Sequence, residues 1–568
     1  MVGFVSLVLI LLPAALALLY VRSFGVSVVF SDAWSMARTF GEWSSGTLTL
    51  SDFFDQHNEH RMFFPKAVEF LLGRITGYDN VAEMYLIQVC FLVTLAVLFL
   101  AFRVGTRSSW LLLLFVPISF LVFSFRQYEN MLWGFQISFA FTQTFGVLAL
   151  FLLYVSGRGR FGKGAFVAAL GSATVASFSN AQGLFLWPVG LLLLAVSPLE
   201  KSAKRVWILI WTLVGLAEWI AYFADFARRG NSSSLSYALY HPIVGAQYFS
   251  NLLGSSLFWR QNSAFIAGLL LVCLALVSLF VVYRDKKLSE YSFWLSLLLY
   301  SFLILGSITL GRAGEFGPLQ AMAPRYTSFS ILAVVAIYAV LVKVAFDRRS
   351  TTNTLLLAAL SGAILLSAAV SYQEGIKVGS KERATREKAA FVLSTYETQP
   401  DEALTETLHP RARVIRERAP VLQSLGYNVF SGPQDWDLPP LSDLYPISSP
   451  ASSATSITGD GLRQENESII VPAKASFIKL TGWAVDAGNE SAAGGVYVDI
   501  DGELFPAFYG VERQDIADSF GMPSYRYSGF ERFVPVPGVG AHELSIVILT
   551  ADREGYYPPT RKVALQVE

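Results

Sequence analysis

Cysteine is nearly absent from this sequence, which has two cysteines among 568 residues. Both of them, Cys90 and Cys273, lie within long apolar segments, so the sequence excludes a disulfide framework and a cysteine-based metal site. Basic and acidic side chains are equal in number, 43 of each, and the net formal charge is zero. Because binding to nucleic acid depends on an excess of positive charge, we expect no nucleic-acid partner.

Charged residues are also scarce, at 15% of the sequence, whereas 53% of the residues are hydrophobic. An apolar helix of about 20 residues crosses a hydrocarbon core, and backbone in lipid must satisfy its own hydrogen bonds. The sequence therefore predicts a polytopic α-helical membrane protein with about eleven transmembrane helices. We expect these helices near residues 3–21, 83–102, 108–124, 134–155, 164–178, 182–197, 206–225, 264–283, 291–310, 327–346 and 353–372.

Lysine and arginine are missing from residues 1–21. This segment therefore lacks the basic region of a signal peptide, and we expect it to remain as the first transmembrane helix.

Short loops between later spans are basic, which is typical of cytoplasmic loops. These basic loops lie near residues 103–107, 158–163, 201–205, 284–287 and 348–349. Their positions predict that the N-terminus is cytoplasmic and that the C-terminal part lies outside.

The chain is predicted to have three parts. Residues 1–372 form the membrane domain, residues 373–467 form a helical segment followed by a surface linker, and residues 468–568 form an all-β sandwich domain. The prediction of a sandwich rests on short strand-like runs separated by turns. One of these turns, Asp501-Gly502, is typical of a β-hairpin.

Polar residues crowd into the loops opposite the basic ones, beginning with Asp32 in the first outer loop. Two interpretations of Asp32 stay open. It caps a helix beside the interfacial Trp34, because an aspartate accepts hydrogen bonds from free backbone amides. Alternatively, it is a general base at the mouth of a cavity and removes a proton from an attacking hydroxyl group.

A denser group is the run 56–61, which holds two of the five histidines of the chain. If this run were helical, His57, His60 and Arg61 would share one face. Three interpretations stay open: a solvated loop with local salt bridges, a sugar- or phosphate-binding site, and a metal site. The metal site would use His57, His60 and a carboxylate. We favour sugar or phosphate binding.

The segment 126–136 carries Glu129, Asn130, Trp133 and Gln136 between two predicted spans. Amides beside aromatic rings suit a sugar, whose hydroxyl groups need hydrogen bonds and whose C–H faces pack on rings. An equally good alternative is an ion pair at the membrane interface with aromatic residues of the interfacial belt.

Two arginines flank a glycine-rich segment between later spans. Arg312 lies within 311–317, and Arg325 precedes Tyr326. Glycines allow the backbone to approach a ligand closely, and arginine forks bind phosphate oxygens. The alternative is that the arginines extend to the interface from helix ends. The glycine cluster favours phosphate binding.

With these features the chain resembles GT-C-type integral-membrane glycosyltransferases, which use polyprenyl-phosphate-linked sugars on the non-cytoplasmic face of the membrane. The resemblance is one of layout over residues 1–372: many spans, an acid in the first outer loop at Asp32, and outer arginines at Arg312 and Arg325. A single Asp32 stands where many relatives carry paired acids, so either Asp32 or Glu59 is the expected base.

The resemblance implies a hexosyl- or pentosyltransferase that moves a sugar, with inversion, from a polyprenyl-phosphate donor to a hydroxyl group of a glycan or glycolipid. It implies a multi-pass protein of the bacterial inner (plasma) membrane, with the active site and the C-terminal domain on the periplasmic or extracellular side. No definite cofactor is implied, and a divalent metal ion is left as an option. The run Thr481–Asp486 is similar to small β modules appended to bacterial glycosyltransferases, which implies an accessory role for the sandwich. The implied donor-phosphate ligands are Arg61, Arg312, Arg325 and Tyr326, and the implied substrate-binding residues are His57, Asn58, His60, Glu129, Asn130, Trp133 and Gln136.

Three alternative functions stay open. A polysaccharide polymerase or ligase would also use outer arginines, but with a polyprenyl-diphosphate donor. A transporter or flippase for a lipid-linked sugar would need polar residues at mid-membrane depth, and the predicted spans are nearly free of charge at their centres. A non-catalytic assembly scaffold is compatible with the sandwich domain.

Overall fold

The computed structural model describes residues 2–104, 110–159, 162–227, 233–348, 351–434, 437–447, 453–459, 462–465, 468–472, 474–559 and 562–568. The chain forms two compact units. The membrane unit comprises Met1–Val26 and Glu42–Arg383, and the sandwich unit comprises Ser27–Gly41 and Ala384–Glu568. The predicted span 108–124, the predicted linker and the basic loops near 103–107, 158–163 and 348–349 lie partly outside the described residues.

Long apolar helices make up most of the membrane unit, which confirms the prediction of a polytopic helical membrane protein. In the part of the chain that the structure describes, nine helices are long and apolar enough to cross a membrane: Gly3–Phe24, Asn80–Arg103, Leu112–Leu132, Gly134–Ser156, Lys201–Phe223, Gln261–Arg284, Leu288–Phe316, Pro324–Arg348 and Asn353–Ser394. Shorter helices of this unit are Leu50–Phe54, Phe63–Thr76, Gly162–Ser177, Leu186–Ala195, Ser233–Tyr240 and Pro242–Gly254, whereas most of the helix Trp34–Ser44 belongs to the sandwich unit.

Two of the predicted spans correspond to short helices. Gly162–Ser177 has 16 residues and Leu186–Ala195 has 10, both fewer than the about 20 residues that a full crossing needs. Some of their large side chains, such as Phe166 and Trp187, are buried in the helical core, whereas Val167 and Leu192 are exposed. Hydropathy alone does not separate a buried helix from a lipid-spanning one.

The last long helix extends well beyond the predicted end of the membrane domain. It runs from Thr351 to Ser394, so the predicted boundary at residue 372 falls inside it. The apolar composition ends near Val370, but the following residues are rich in Lys, Arg, Glu and Ala, which favour helix as strongly as leucine does. A change in hydropathy therefore does not mark a change in secondary structure here.

Short 3₁₀ turns adjoin or interrupt the membrane helices at the polar segments singled out in the sequence. Ser124 Oγ accepts a hydrogen bond from the amide of Arg126 (3.3 Å), and Asn180 Oδ1 accepts one from the amide of Gln182 (3.4 Å). These side-chain bonds satisfy amides that have no partner at the start of a helical segment. These turns are Phe125–Gln127, Gly134–Gln136, Ala181–Phe185, Gln320–Met322 and Pro324–Tyr326, and they place the candidate residues Gln136, Arg325 and Tyr326.

The sandwich unit contains two mainly antiparallel sheets around one apolar core, as predicted. Among the described residues, the larger sheet has eight strands, with the path Glu503–Pro506, Gly495–Ile500, Gly540–Leu549, Lys562–Val567, Ser468–Val471 and Arg463–Glu465, and with Gly555–Tyr557 and Tyr445–Pro446 beside it. The smaller has five, with the path Phe508–Val511, Gly529–Pro535, Phe477–Asp486 and Ser453–Gly459, and with Ser491–Ala492 beside it. Helices Asp401–Thr407, Ala412–Leu425 and Gln514–Phe520 complete the unit.

The predicted hairpin at Asp501-Gly502 is confirmed. The strands on either side pair antiparallel, with Glu503 opposite Ile500, and both turn residues have positive φ, +53° and +90°. This backbone fits the two-residue turn that matches the twist of the adjoining strands, and glycine adopts it without strain.

Asp486 is a fully buried carboxylate in the sandwich. It accepts hydrogen bonds from Tyr557 Oη (2.7 Å), Asn489 Nδ2 (2.7 Å) and the amide of Ala551 (2.9 Å). Burial raises the pKa of this carboxyl group, but the hydrogen bonds outweigh burial and hold the pKa below its ordinary value. Its stabilising contribution is therefore present above the ordinary pKa and is lost as pH falls through the lowered one.

Asp486→Ala is expected to lower the opening free energy of the sandwich by about 2–4 kcal/mol at neutral pH, because it leaves buried donors without an acceptor. Hydrogen exchange of the strands Phe477–Asp486 and Gly540–Leu549 in the full-length protein measures this opening. Asp515→Ala is the control, since Asp515 forms an exposed pair with Arg513. Equal exchange in both variants would contradict the structural role of Asp486.

Candidate functional site

The polar run after Asp55 folds as a β-hairpin. Strand Gln56–His57 pairs antiparallel with strand His60–Arg61, with His57 opposite His60. Asn58, at φ +50°, forms the turn together with Glu59. The helical arrangement considered from the sequence is therefore wrong, since asparagine tolerates left-handed backbone and starts a tight turn here. Glu59 is placed at the tip of the hairpin.

Arg61 anchors this hairpin to the end of a membrane helix. Its Nε donates to the carbonyl oxygen of Tyr222 (2.7 Å), its Nη1 to that of Phe54 (2.8 Å), and its Nη2 to that of Ala224. The amide of Arg61 also donates to Tyr222 Oη (3.0 Å). Because carbonyl oxygens occupy all three guanidinium nitrogens, this geometry favours an anchoring role for Arg61 over the phosphate-binding role expected from the sequence.

The hairpin contacts two other polar segments of the membrane unit. His60 Nδ1 accepts a hydrogen bond from the amide of Ala181 (3.4 Å), and the His57 ring lies 5.3 Å from the ring of Phe135. The ring of Phe135 in turn lies 5.6 Å from that of Trp133. The structure thus brings the predicted sugar-binding segment next to the hairpin.

Glu59 reaches the glycine-rich segment. Its Oε2 lies 3.4 Å from Arg312 Nη2, and Arg312 Nη1 lies 3.9 Å from Glu315. The side chains of Glu59 and Arg312 are 47% and 32% exposed. This acid–arginine pair is therefore open to solvent and accessible to a ligand.

A second acid–arginine pair joins two other predicted site residues. Arg325 Nη1 lies 3.2 Å and 3.3 Å from the two oxygens of Glu129, and the amide of Arg325 donates to Glu129 Oε2 (3.0 Å). Asn130 Nδ2 donates to the carbonyl oxygen of Arg325 (3.0 Å). The segment 126–136 therefore fixes the start of the span Pro324–Arg348.

Tyr248 contacts the segment between the two arginines through Gln320, and sequence reasoning missed it. Burial raises the pKa of its hydroxyl group, Tyr326 raises it further, and the charges of Arg312 and Arg325 oppose the shift. Tyr248 Oη donates to Gln320 Oε1, and Gln320 Nε2 donates to Tyr326 Oη (3.5 Å). We call Glu59, Glu129, Tyr248, Arg312, Arg325 and Tyr326 the acid–arginine cluster.

Several buried amide atoms near these segments have no hydrogen-bond partner among the described residues. They are Asn130 Oδ1, Gln136 Oε1, Asn180 Nδ2, Gln182 Oε1 and Asn251 Oδ1. A buried polar atom without a partner is costly. A ligand rich in hydroxyl groups would remove that cost, because each hydroxyl both donates and accepts.

Two further acids that the sequence did not reveal are buried in the membrane unit. Glu69 and Glu83 are each 2% exposed. Asn80 Nδ2 donates to Glu83 Oε2 (3.0 Å), and a Cβ added at Gly134 would lie 2.0 Å from the same oxygen. Glu83 therefore packs against the segment that holds Trp133. Glu69 lies in an amphipathic helix, where an acid usually faces solvent, and Glu83 lies in the first turn of a long apolar helix.

Glu69→Gln is expected to stabilise the protein at alkaline pH. Burial raises the pKa of Glu69 well above its ordinary value, Glu83 raises it further, and Lys66 opposes the shift. Stability is then greatest below the unfolded pKa and falls as pH rises toward the folded one. In detergent, the variant should match the wild type at pH 5 and unfold at least about 2 °C higher at pH 8. Glu200→Gln, at an exposed position, is the control, and a lower Tm for Glu69→Gln at pH 8 would contradict the argument.

Asp32 lies in the sandwich unit, whereas the acid–arginine cluster lies in the membrane unit. It occupies the 3₁₀ turn Ser31–Ala33, and its carbonyl oxygen accepts from Ser35 Oγ (2.8 Å). Burial lowers the pKa of His409, and the charge of Asp32 is among the effects that oppose this shift. The role of Asp32 as a base stays a prediction.

The histidines give no further support for a metal site. Within the described ranges, no group of three or more His, Cys, Asp or Glu side chains is arranged to hold a metal ion. His57 and His60, which the sequence analysis considered as metal ligands, are cross-strand neighbours in the hairpin.

Comparison with known proteins gives weak similarities. No family model matches the chain. An uncharacterized protein of Archaeoglobus fulgidus is 23% identical over 209 residues, which are 34% of this chain and 52% of that protein, so the chain spans about half the length of this relative. The chain is also similar to a solved structure, the archaeal oligosaccharyltransferase AglB from Archaeoglobus fulgidus in complex with an inhibitory peptide and a dolichol-phosphate. That similarity has a TM-score of 0.41 and 12% identity over 70% of this chain and 58% of the other, and at these values it carries no argument about function.

Proposed function

We propose that the membrane unit transfers a sugar from a polyprenyl-phosphate-linked donor to a hydroxyl group of a glycan or glycolipid acceptor. The observation that carries this proposal is the acid–arginine cluster. Two carboxylates each pair with an arginine, and the segment between these arginines is joined by the hydrogen bonds of Tyr248 to Gln320 and of Gln320 to Tyr326. A phosphate leaving group needs such cations, and an attacking hydroxyl group needs a nearby base.

Arg312 and Arg325 are the proposed ligands of the donor phosphate, with Tyr326 as a further hydrogen-bond donor. Arg312 supports this role because its side chain is 32% exposed and its pairs with Glu59 and Glu315 are longer than 3 Å. Arg325 is held more firmly by Glu129, which orients its guanidinium group before a ligand arrives. Pre-oriented cations stabilise the charge that develops on the phosphate oxygens without further reorganisation.

Glu59 is the base that the geometry supports best. It stands at the hairpin tip, it is 47% exposed, and its carboxylate lies 3.4 Å from Arg312. A base this close to the proposed phosphate site is within reach of an acceptor hydroxyl group at the anomeric carbon. Asp32 is the second candidate, and Asp32→Asn serves as the comparison.

The proposed reaction is a single displacement with inversion. The acceptor oxygen forms a bond to the anomeric carbon while the bond from that carbon to the phosphate oxygen breaks. The electron pair leaves with the polyprenyl phosphate, whose charge Arg312 and Arg325 balance, and the proton of the acceptor passes to Glu59. No strong general acid is needed, because phosphate is a good leaving group.

The sugar itself would lie against the hairpin and the segment 126–136. Asn130 Oδ1 and Gln136 Oε1 are buried acceptors without partners among the described residues, and the rings of Trp133 and Phe135 provide an apolar face. His57, Asn58 and His60 of the hairpin complete the proposed substrate-binding set.

We also propose that the basic loops face the cytoplasm of a bacterial cell, as the distribution of Lys and Arg indicates. The proposed site then lies on the periplasmic or extracellular side of the inner membrane. The sandwich unit would act there as an accessory part. A divalent metal ion is left as an option for the reaction.

The experiment that tests the function uses the full-length protein in liposomes with a panel of polyprenyl-phosphate sugars and glycan acceptors. Sugar transfer should release free polyprenyl phosphate in equal amount. Movement of intact donor between leaflets without cleavage would support the transporter alternative instead. Cleavage of a polyprenyl-diphosphate donor alone would support the polymerase or ligase alternative.

A further inference from the structure

The helix Phe63–Thr76 buries two charged side chains and exposes two apolar ones. Lys66 and Glu69 are 8% and 2% exposed, whereas Leu71 and Ile75, about one turn apart, are 60% and 83% exposed. A helix on the surface of a water-soluble domain has the opposite arrangement, with its apolar stripe buried and its charges in solvent. The outward face of this helix therefore favours an apolar environment over water.

This helix ends next to a membrane-crossing helix. It has 14 residues, fewer than the about 20 that a full crossing needs. Gly77, with φ +69°, caps its end, and three residues connect it to the span Asn80–Arg103. Because one residue of extended chain covers at most about 3.6 Å, Ile75 lies within about 18 Å of Asn80. The exposed face is therefore close to the point where this span meets the membrane surface.

A tryptophan and an arginine pair beside this face. The guanidinium carbon of Arg74 lies 3.5 Å from the centre of the Trp43 ring, which lies 6.4 Å from the ring of Phe70. Tryptophan is enriched where a membrane meets water, and arginine extends its charge from apolar surroundings to that level. Since Arg74 directly precedes Ile75, the pair suits the boundary between lipid headgroups and acyl chains.

The buried side of the helix contacts the start of the hairpin. Lys66 Nζ donates to the carbonyl oxygen of Asp55 (2.8 Å), which directly precedes the strand Gln56–His57. The rings of Phe54 and Phe63 also stack, with their centres 4.3 Å apart. The depth of the helix in the membrane would therefore set the depth of the hairpin.

We propose that the face of Leu71 and Ile75 contacts the acyl chains of membrane lipid just below the headgroups, so that the helix is an interfacial anchor for the hairpin. Lipid fits this face better than a second copy of the chain does, because the span that follows also exposes apolar side chains, Val89 and Val93. The apolar surface thus continues into one that lipid covers. The proposal does not depend on sugar transfer, because only the environment of the helix is measured.

Spin labels on single cysteines of the full-length protein in phosphatidylcholine liposomes test the proposal. Cys273→Ser removes the exposed native cysteine, and Cys90 is buried. Labels at Leu71→Cys and Ile75→Cys should collide more often with oxygen, which concentrates among acyl chains, than with the water-soluble complex nickel–EDDA. Both positions are exposed, so the substitutions leave the packed face of the helix intact.

Two reference positions calibrate the ratio of oxygen to nickel collisions. Leu270→Cys, exposed in the span Gln261–Arg284, reports lipid. Arg413→Cys reports water, since Arg413 is 86% exposed and pairs with Glu417. We expect the ratio at Ile75 to be close to that at Leu270 and several times that at Arg413.

The label at Ile75 decides the outcome. A ratio like that of Arg413 would place this face in water and overturn the proposal. Few collisions with either reagent would mean that protein covers the face, which also overturns it. In that case, spectral broadening between labels on different molecules would identify the cover as a second copy of the chain.

Discussion

Glu59→Gln is expected to slow sugar transfer by about 10²- to 10⁴-fold, the usual contribution of a general base. The amide keeps the size and one oxygen of the carboxylate but cannot take the proton of the acceptor hydroxyl group. The hairpin should keep its place, because Arg61 and not Glu59 anchors it to carbonyl oxygens near the end of the span Lys201–Phe223. The measurement is the turnover number with saturating donor and acceptor in liposomes.

Two variants make the first result specific. Glu315→Gln changes another acid near Arg312, at 3.9 Å, and should retain most of the activity. Asp32→Asn compares the alternative base directly. If Asp32→Asn abolishes transfer while Glu59→Gln leaves it within about twofold of the wild type, the base is Asp32, and the assignment of Glu59 is wrong.

Arg325→Gln is expected to lower the turnover number by about 10²- to 10³-fold, because it removes a positioned cation from the departing phosphate. Arg325→Lys keeps the charge and the ion pair with Glu129 but loses the planar fork, so it should lose less activity while folding normally. The effect should fall on the turnover number and leave the KM for the acceptor nearly unchanged. A single-turnover assay that follows release of polyprenyl phosphate measures the step directly.

Arg284→Gln is the matched control for Arg325. Arg284 also lies at the end of a long apolar helix, it is 55% exposed and pairs with Asp285, and it belongs to a loop that we propose to be cytoplasmic. Activity within about twofold of the wild type is expected, since such exposed pairs contribute little. Equal losses for Arg284→Gln and Arg325→Gln would indicate a general effect of charge near the membrane and would contradict a phosphate site.

The sequence predicted the helical membrane architecture because long apolar runs leave few other structures for the backbone. It did not predict that two of these runs, near residues 164–178 and 182–197, form short helices of 16 and 10 residues. Phe166 and Trp187 pack against other helices in the core. Apolar residues of the same kind also suit contact with lipid, so the sequence does not distinguish the two environments. The hairpin of the sandwich was predictable at Asp501-Gly502 because turn chemistry is local.

The sequence predicted several individual residues of the candidate site. It did not predict which of these residues contact each other. Arg312 and Arg325 stood out because they flank a glycine-rich segment between two apolar spans. Tyr248 did not, since a single tyrosine in the helix Pro242–Gly254 has no spacing signal, and its contact with Gln320 is distant in sequence. For Arg61 the prediction from its sequence neighbours was a phosphate-binding role. In the structure its guanidinium group donates to backbone carbonyl oxygens instead.

That anchoring of Arg61 gives the lipid environment a direct influence on the hairpin. Its acceptors, the carbonyl oxygens of Tyr222 and Ala224, belong to the last turn of a membrane helix and the residue just beyond it. A bilayer thicker or thinner than this helix changes its tilt, and the hairpin tip moves with the helix end. Hydrophobic mismatch would thus shift the proposed base relative to the two arginines, and membrane composition would set how often the reacting groups are aligned.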